Sequence, residues 1–192
     1  LDNKELSLSR SDSYIGVMIN DLTINGTIEP YRMMTSRAEY RIFLRPDNVY
    51  HRLSLKASNL GLLHSIAKDR VLELLSGYQI TKNKFESILY TPNQLQEKGI
   101  QISLDGRRRS IFEIMSLPSI DLEMLRNAFD EVDGVNQNIL SMLYAESMYM
   151  KFDDLLKKDL QLYNEDQDTL IPEDIDYLKI KSLSSEVRIK LN

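Results

Sequence analysis

Helix-start signals recur along this chain and constrain its fold more than any other feature. A Ser or Thr precedes Glu or Gln by three residues at 36–39, 91–94 and 110–113. In such a capping box the hydroxyl accepts a hydrogen bond from a first-turn amide, and the later side chain accepts one from the cap residue. Apolar side chains at helical spacing between 136 and 163 add one long helix. The chain is therefore predicted to be mainly α-helical.

The predicted helices follow these signals, with Gly61 and Gly99 as left-handed helix ends. A minor β element is expected near 99–104, where apolar and polar residues alternate. The predicted domains are a helical subdomain at 1–130, which contains a basic segment at 29–52, and a region at 131–192 with the long helix, an acidic loop and C-terminal helices. The predicted helices span 12–22, 37–45, 55–60, 67–76, 82–89, 92–98, 111–116, 122–129, 136–163, 177–180 and 185–191.

Composition excludes several kinds of site. The seven glycines are too dispersed for a GxGxxG or P-loop motif, so no phosphate-cradling loop of either type is expected. With no cysteine and two histidines, we expect no metal site, and no nucleophile–base arrangement marks a catalytic site. No apolar run approaches the roughly 18 residues that span a bilayer, so no membrane partner is expected. The first residue is Leu rather than Met, which indicates a fragment or a processed chain.

The charge is unevenly distributed. The net charge is −5, but residues 145–176 hold ten acidic residues and three lysines, a balance of −7. The rest of the chain sums to +2, which leaves its first two-thirds free to meet an anion. Any anion-binding site is therefore expected in that part.

The segment 29–52 is basic and rich in aromatic residues. On the predicted helix at 37–45, Arg37, Arg41 and Arg45 are spaced four apart and would lie on one face. Their forked guanidinium donors suit phosphates, and neighbouring tyrosines could stack on unpaired bases. One alternative is a solvated arginine face held by Glu29, Glu39 and Asp47. Another is a protein-interaction surface that packs against an N-terminal domain or a homodimer mate, with the arginines paired to carboxylates there. The turn at 107–109 has two readings as well, as a charged surface turn or as a second phosphate contact.

The stretch 11–53 resembles the signature of a known family. It reads SDSYIGVMINDLTINGTIEPYRMMTSRAEYRIFLRPDNVYHRL and is similar to the tRNA uridine-5-carboxymethylaminomethyl modification enzymes, the MnmG or GidA family. The likeness returns at 60–63, 110–120 and 170–191. At 149–158 the chain departs from the family's usual YEGYI.RQ pattern, and Leu155 and Leu156 stand where that pattern has Arg and Gln.

The resemblance implies a flavoenzyme that works with the GTPase MnmE on the wobble uridine of tRNA. The family uses FAD and NADH, held on an N-terminal Rossmann-type region, and a methylenetetrahydrofolate carbon donor. The chain resembles only the helical C-terminal region, which is implicated in tRNA and partner binding. We therefore expect it to bind neither cofactor alone and to carry no catalytic residue. A homodimer and a bacterial cytoplasmic location, or a mitochondrial or plastid one, are also implied.

Residues are carried over where they match the family motif. The matching arginines and tyrosines are expected to contact the anticodon stem-loop of tRNA, the arginines at its backbone. Further basic residues outside the motif are added as candidates. The full predicted set is Arg32, Arg37, Arg41, Arg45, Tyr31, Tyr40, Arg52, Arg107, Arg108 and Arg109.

Overall fold

Helices dominate the part of the chain that the computed structural model describes, which is residues 6–167, 170, 172 and 174–191. The α-helices are α1 (Tyr14–Asn20), α2 (Val49–Asn59), α3 (Ser65–Ser87), α4 (Pro92–Glu97), α5 (Ile111–Met115), α6 (Leu122–Ala128), α7 (Gln137–Gln167) and α8 (Ser185–Leu191). A π-helical turn at Asp21–Asn25 continues α1, and short 3-10 turns lie at Thr35–Arg37, Asp130–Val132 and Tyr177–Lys179. The prediction of a mainly α fold is confirmed.

A short antiparallel sheet is the β element of the described residues. Its strands are β1 (Leu89–Tyr90) and β2 (Arg109–Ser110), with Leu89 opposite Ser110. A minor β element was expected, but it lies on either side of the predicted stretch 99–104 rather than within it. Of the alternating residues at 99–104, Ile100 is buried because it packs into the main core, and it is not part of a strand.

The main core forms where α3, α5, α6 and the first part of α7 meet. Phe85, Leu125 and Leu140 are fully buried there, and the ring of Tyr90 packs against that of Phe129 at 5.0 Å between centroids. Burial of such side chains contributes about 1.5–3 kcal/mol each relative to exposure. These contacts place the helices, and the basic segment has a smaller core of its own.

Two of the three predicted capping boxes are confirmed. The Thr91 and Ser110 hydroxyls accept from Gln94 and Glu113 amides, and both reciprocal bonds are made. Gly61 and Gly99 have positive φ at helix ends, as predicted. The gap predicted between helices at 67–76 and 82–89 is wrong, because α3 runs without a break through Gly77.

The predicted helix at 37–45 is also wrong. Backbone bonds there run from Arg41 to Ala38 and from Phe43 to Tyr40, which is turn geometry. Ala38 and Leu44 are both buried against Val17 of α1. Six residues make about 1.7 turns of an α-helix, so a helix would send these two side chains to different faces. Successive turns bury both, and Ser36 therefore caps no helix.

Contacts divide the chain into two compact units, Leu1–Leu156 and Lys157–Asn192. The first holds both cores and the whole basic segment. The second contains the end of α7 and α8, where Arg188 donates to the Leu178 carbonyl at 3.5 Å. The predicted division at 130/131 stays a prediction. Within the described residues, no helix has the length and apolar character needed to span a bilayer.

Candidate anion-binding site

Arg10 forms the centre of a charged network in the first unit. Its Nε and Nη2 donate to the two carboxylate oxygens of Glu39 at 2.6 and 2.8 Å, and its Nη1 donates to Asp21 Oδ1 at 2.5 Å. Its Nη2 also donates to the Arg37 carbonyl at 2.8 Å. The hydrogen bond to Glu39 raises the pKa of Arg10 further above its already high usual range. The guanidinium is therefore permanently charged and internally neutralised.

Asp21 accepts hydrogen bonds from two side chains at the end of α1 and forms a longer ion pair with a third. Arg10 holds one oxygen, while the Tyr31 hydroxyl donates to Oδ2 at 2.8 Å and Arg37 Nη1 lies 3.6 Å from Oδ2. Hydrogen bonds from Arg10 and then Tyr31 lower the pKa of this carboxyl. Burial, and then the hydrogen bond to Asp21, raises the pKa of the Tyr31 hydroxyl. Asp21 thus stays ionised and fixes the Tyr31 side chain.

Arg37 is the exposed cation of this network. Its guanidinium lies over the Tyr31 ring, 4.9 Å from Cζ to the centroid, and 46% of its side chain is exposed. Stacking on a ring orients a guanidinium while leaving its donors available. The structure therefore brings the predicted candidates Tyr31 and Arg37 together. The Arg37 guanidinium covers one face of the Tyr31 ring.

Arg32 and Arg41 face solvent. Among the residues that the structure describes, neither side chain makes a hydrogen bond or an ion pair. Tyr40, between them in the segment, is half-buried. These two arginines therefore carry positive charge that the described part of the molecule does not neutralise.

Arg45 and Arg52 point inward instead. Arg45 is 12% exposed, forms a two-pronged ion pair with Asp47 and donates to the Ile42 carbonyl at 2.9 Å. Arg52 donates to the carbonyls of Asp12 and Arg45, and burial lowers its pKa. The predicted single face of Arg37, Arg41 and Arg45 does not exist, because the turns at 38–44 replace the helix.

The turn at 107–109 is tied down by carboxylates. Arg109 binds both oxygens of Asp105, at 3.1 and 2.5 Å, and Arg107 binds Glu113 at 2.6 Å. The Arg109 hydrogen bond lowers the pKa of Asp105 to about 2. Arg108 is exposed and has no hydrogen bond or ion pair within the described part of the chain.

The arrangement presents exposed guanidinium groups, whose donors suit an anion. No group of three or more His, Asp or Glu that could hold a metal ion occurs in the described ranges. Sequence reasoning missed Arg10 and Asp21. Asp21 lies inside the family-like stretch 11–53, so the resemblance could have pointed to it. Arg10 lies just before that stretch, and its partner Glu39 is 29 residues further along the chain.

Comparisons with known proteins give a consistent result. No protein-family model matches the chain. The chain is 33% identical over 190 residues to a protein of Granulibacter bethesdensis and 35% identical over 193 residues to one of Salinibacter ruber, with 97% and 96% of the chain covered. Both relatives are named tRNA uridine 5-carboxymethylaminomethyl modification enzyme MnmG. A crystal structure of Aquifex aeolicus GidA superimposes with a TM-score of 0.73 at 32% identity over 97% of the chain.

A helical chain with this basic segment thus matches tRNA-modifying enzymes in both sequence and fold. The chain belongs to the MnmG family, also called GidA, and corresponds to a C-terminal part of these proteins. It spans 30% and 29% of the length of the two relatives, and 29% of the Aquifex aeolicus chain. The resemblance inferred from the sequence is confirmed.

Proposed function

We propose that this chain is the tRNA-contacting region of an MnmG-type enzyme. The complete enzyme would use FAD and, with the GTPase MnmE, install a carboxymethylaminomethyl group at C5 of the wobble uridine. The chain would hold the phosphates of the anticodon stem-loop through Arg32, Arg37 and Arg41. Family membership over nearly the whole chain supports the tRNA assignment.

The observation that carries the proposal is the exposure of Arg32 and Arg41 without a described carboxylate partner. A free guanidinium that meets a phosphate releases counterions from the RNA, which favours association. An arginine already paired inside the protein contributes less, because its carboxylate partner must first be displaced. Arg45 and Arg52 therefore hold the segment in place, while Arg32 and Arg41 form the contact surface. Arg37 joins them because its ion pair with Asp21 is long, at 3.6 Å, and 46% of its side chain is exposed.

The chain's own residues do not fit FAD or NADH. A dinucleotide fold needs a parallel sheet and a glycine-rich turn before a helix, whereas β1 and β2 have two residues each and are antiparallel. The glycines lack the required spacing. We therefore place both cofactors on the part of the family protein that this chain does not match, and assign the redox chemistry to that part.

The test is a titration of a labelled anticodon stem-loop with the full chain at several salt concentrations. Three phosphate contacts predict a slope of log K against log salt of about −2 to −3. The Arg41→Ala variant should bind about tenfold more weakly, with a slope smaller in magnitude by about 0.7–0.9. Arg70, an exposed arginine of α3, provides the matched control Arg70→Ala, which should bind like wild type. Equal binding by wild type and Arg41→Ala would contradict the proposal.

A second candidate function is protein interaction, and exposed apolar side chains favour it. Ile15 and Ile19, one turn apart on α1, are 56% and 47% exposed, and Leu22 follows them in the π-helical turn. A contiguous apolar patch is a surface that another protein can cover. The partner would be the remainder of the family protein, a second copy or MnmE.

The second candidate has its own test, which is sedimentation of the chain alone and with MnmE. Ile19→Asp should abolish an association that wild type shows, and Arg41→Ala should leave it intact. Wild type that stays monomeric and does not bind MnmE, while it binds the stem-loop, would favour the RNA function.

A further inference from the structure

Arg10 lies outside the predicted site, yet it connects the parts of the candidate site. We propose that Arg10 is the positioning residue of the RNA-contacting segment, and that it sets where Arg37 and Arg41 are displayed. This inference rests on the proposed function. It adds a residue that touches no RNA but determines whether the contact surface forms.

The geometry rules out a direct phosphate contact by Arg10 itself. Only 13% of its side chain is exposed. Its Nε is used by Glu39, its Nη2 by Glu39 and the Arg37 carbonyl, and its Nη1 by Asp21 and the Asn20 side chain at 3.0 Å. Every nitrogen of the guanidinium therefore already donates inside the protein.

Arg10 donates hydrogen bonds to the residues before and after Ala38 in the turn. The Arg37 carbonyl and the Glu39 carboxylate lie on either side of Ala38, whose side chain is buried against Val17. On the other side, Arg10 is anchored to the end of α1 through Asp21. The turn is thereby held to α1 by a buried methyl group and by a forked ion pair together.

The fork is what makes an arginine necessary here. Two parallel N–H donors match the two oxygens of Glu39, while another nitrogen of the same planar group reaches Asp21. A lysine would keep the positive charge, but as a single point donor it could not hold both carboxylates in this geometry. Arg10→Lys therefore separates positioning from charge.

The experiment measures two quantities in the full chain, for wild type, Arg10→Lys and Arg41→Ala. The first is amide hydrogen exchange at residues 37–44, and the second is stem-loop affinity with its salt slope. We expect Arg10→Lys to exchange faster at 37–44 and to lose about tenfold in affinity, with a smaller slope, although its net charge is unchanged. Exchange in α3 and α5 should match wild type, which shows that the core is intact.

Three results would overturn the inference, and they are distinguishable from one another. If Arg41→Ala weakens binding but Arg10→Lys leaves the affinity or the exchange at 37–44 unchanged, the positioning role is wrong and the proposed function stands. If Arg41→Ala binds like wild type, the proposed function fails, and the positioning role for RNA fails with it.

If Arg10→Lys also exchanges faster in α3 and α5, Glu39→Gln gives the deciding affinity, because it removes one arm of the fork and leaves the Asp21 anchor. Weaker binding by Glu39→Gln supports the role, and unchanged binding overturns it.

Discussion

The guanidinium of Arg45 lies over the ring of Tyr149, with 4.1 Å between Cζ and the ring centroid. This contact joins the turn segment to helix α7 within the first unit. Asp47 neutralises the same guanidinium from the side. Tyr149 begins the stretch where the sequence departs from the family pattern, so the aromatic residue is present even though the later Arg and Gln of that pattern are not.

Arg45 and Arg41 should therefore have opposite phenotypes. Arg45→Ala removes a half-buried ion pair and a cation–π contact, and should lower the free energy of unfolding by about 1–3 kcal/mol. Arg41→Ala should change it by less than about 0.5 kcal/mol, because the side chain is exposed. Urea denaturation measures both. Equal stability of the two variants would show that the Arg45 contacts contribute nothing.

The capping box at Ser110 and the absence of one at Ser36 can be tested by replacing each serine with alanine. Ser110→Ala removes a hydroxyl that accepts from the Glu113 amide at 3.1 Å, and should destabilise the fold by about 1 kcal/mol. Ser36→Ala should be close to neutral, because Ser36 caps no helix. Thermal unfolding followed by circular dichroism gives both values. A loss at Ser36 as large as that at Ser110 would indicate a helix at 37–45 in solution.

Gly16 allows the backbone of Leu8 and Ser9, just before Arg10, to approach α1 closely. A Cβ at Gly16 would collide with the Ser9 carbonyl oxygen and lie 2.7 Å from that of Leu8, both rigid backbone atoms. We expect Gly16→Ala to lower the free energy of unfolding by about 1–3 kcal/mol, and to speed hydrogen exchange at residues 8–10.

The matched control is Gly77→Ala within α3. A Cβ there would meet only the end of the Ile139 side chain, at 2.9 Å, which can rotate away. Helix propensity favours Ala by about 1 kcal/mol and offsets the repacking. Stability equal to or above that of wild type is expected at Gly77, and an equal loss at both glycines would argue against a specific clash at Gly16.

Acid should weaken the Arg10 network by protonating the carboxylates of Asp21 and Glu39. Hydrogen bonds from Arg10 lower the pKa of both Asp21 and Glu39 in the folded state. A carboxyl of this kind stabilises the fold above its unfolded pKa, about 4, and the contribution is lost as pH falls through the lowered value. The free energy of unfolding should therefore decline below about pH 4.

The Asp21→Asn variant should be less stable than wild type near neutral pH and should decline less steeply in acid. Urea denaturation over a pH series measures the two slopes. Asp69, an exposed residue of α3, provides the control Asp69→Asn, which should follow wild type. Parallel curves for Asp21→Asn and wild type would mean that the Asp21 carboxylate contributes no pH-dependent stability.

The sequence alone determined the helical character, two capping boxes, the helix ends at Gly61 and Gly99 and the family. These features depend on neighbours within a few positions or on a long continuous likeness. The hydroxyl at Ser110, for example, needs only the amide three residues later. Local patterns could therefore be read directly.

Only the tertiary structure decided how the arginines are divided between solvent and the interior. The local pattern at 37–45 favoured a helix, but burying both Ala38 and Leu44 against Val17 favoured turns. The carboxylates that neutralise Arg10 belong to residues distant in sequence from it, and so does the ring that covers Arg45. Ion pairs and packing depend on distances in space, which residue spacing along the chain does not specify. Arg37, Arg41 and Arg45 are therefore evenly spaced in sequence, yet the first two are exposed and the third is largely buried.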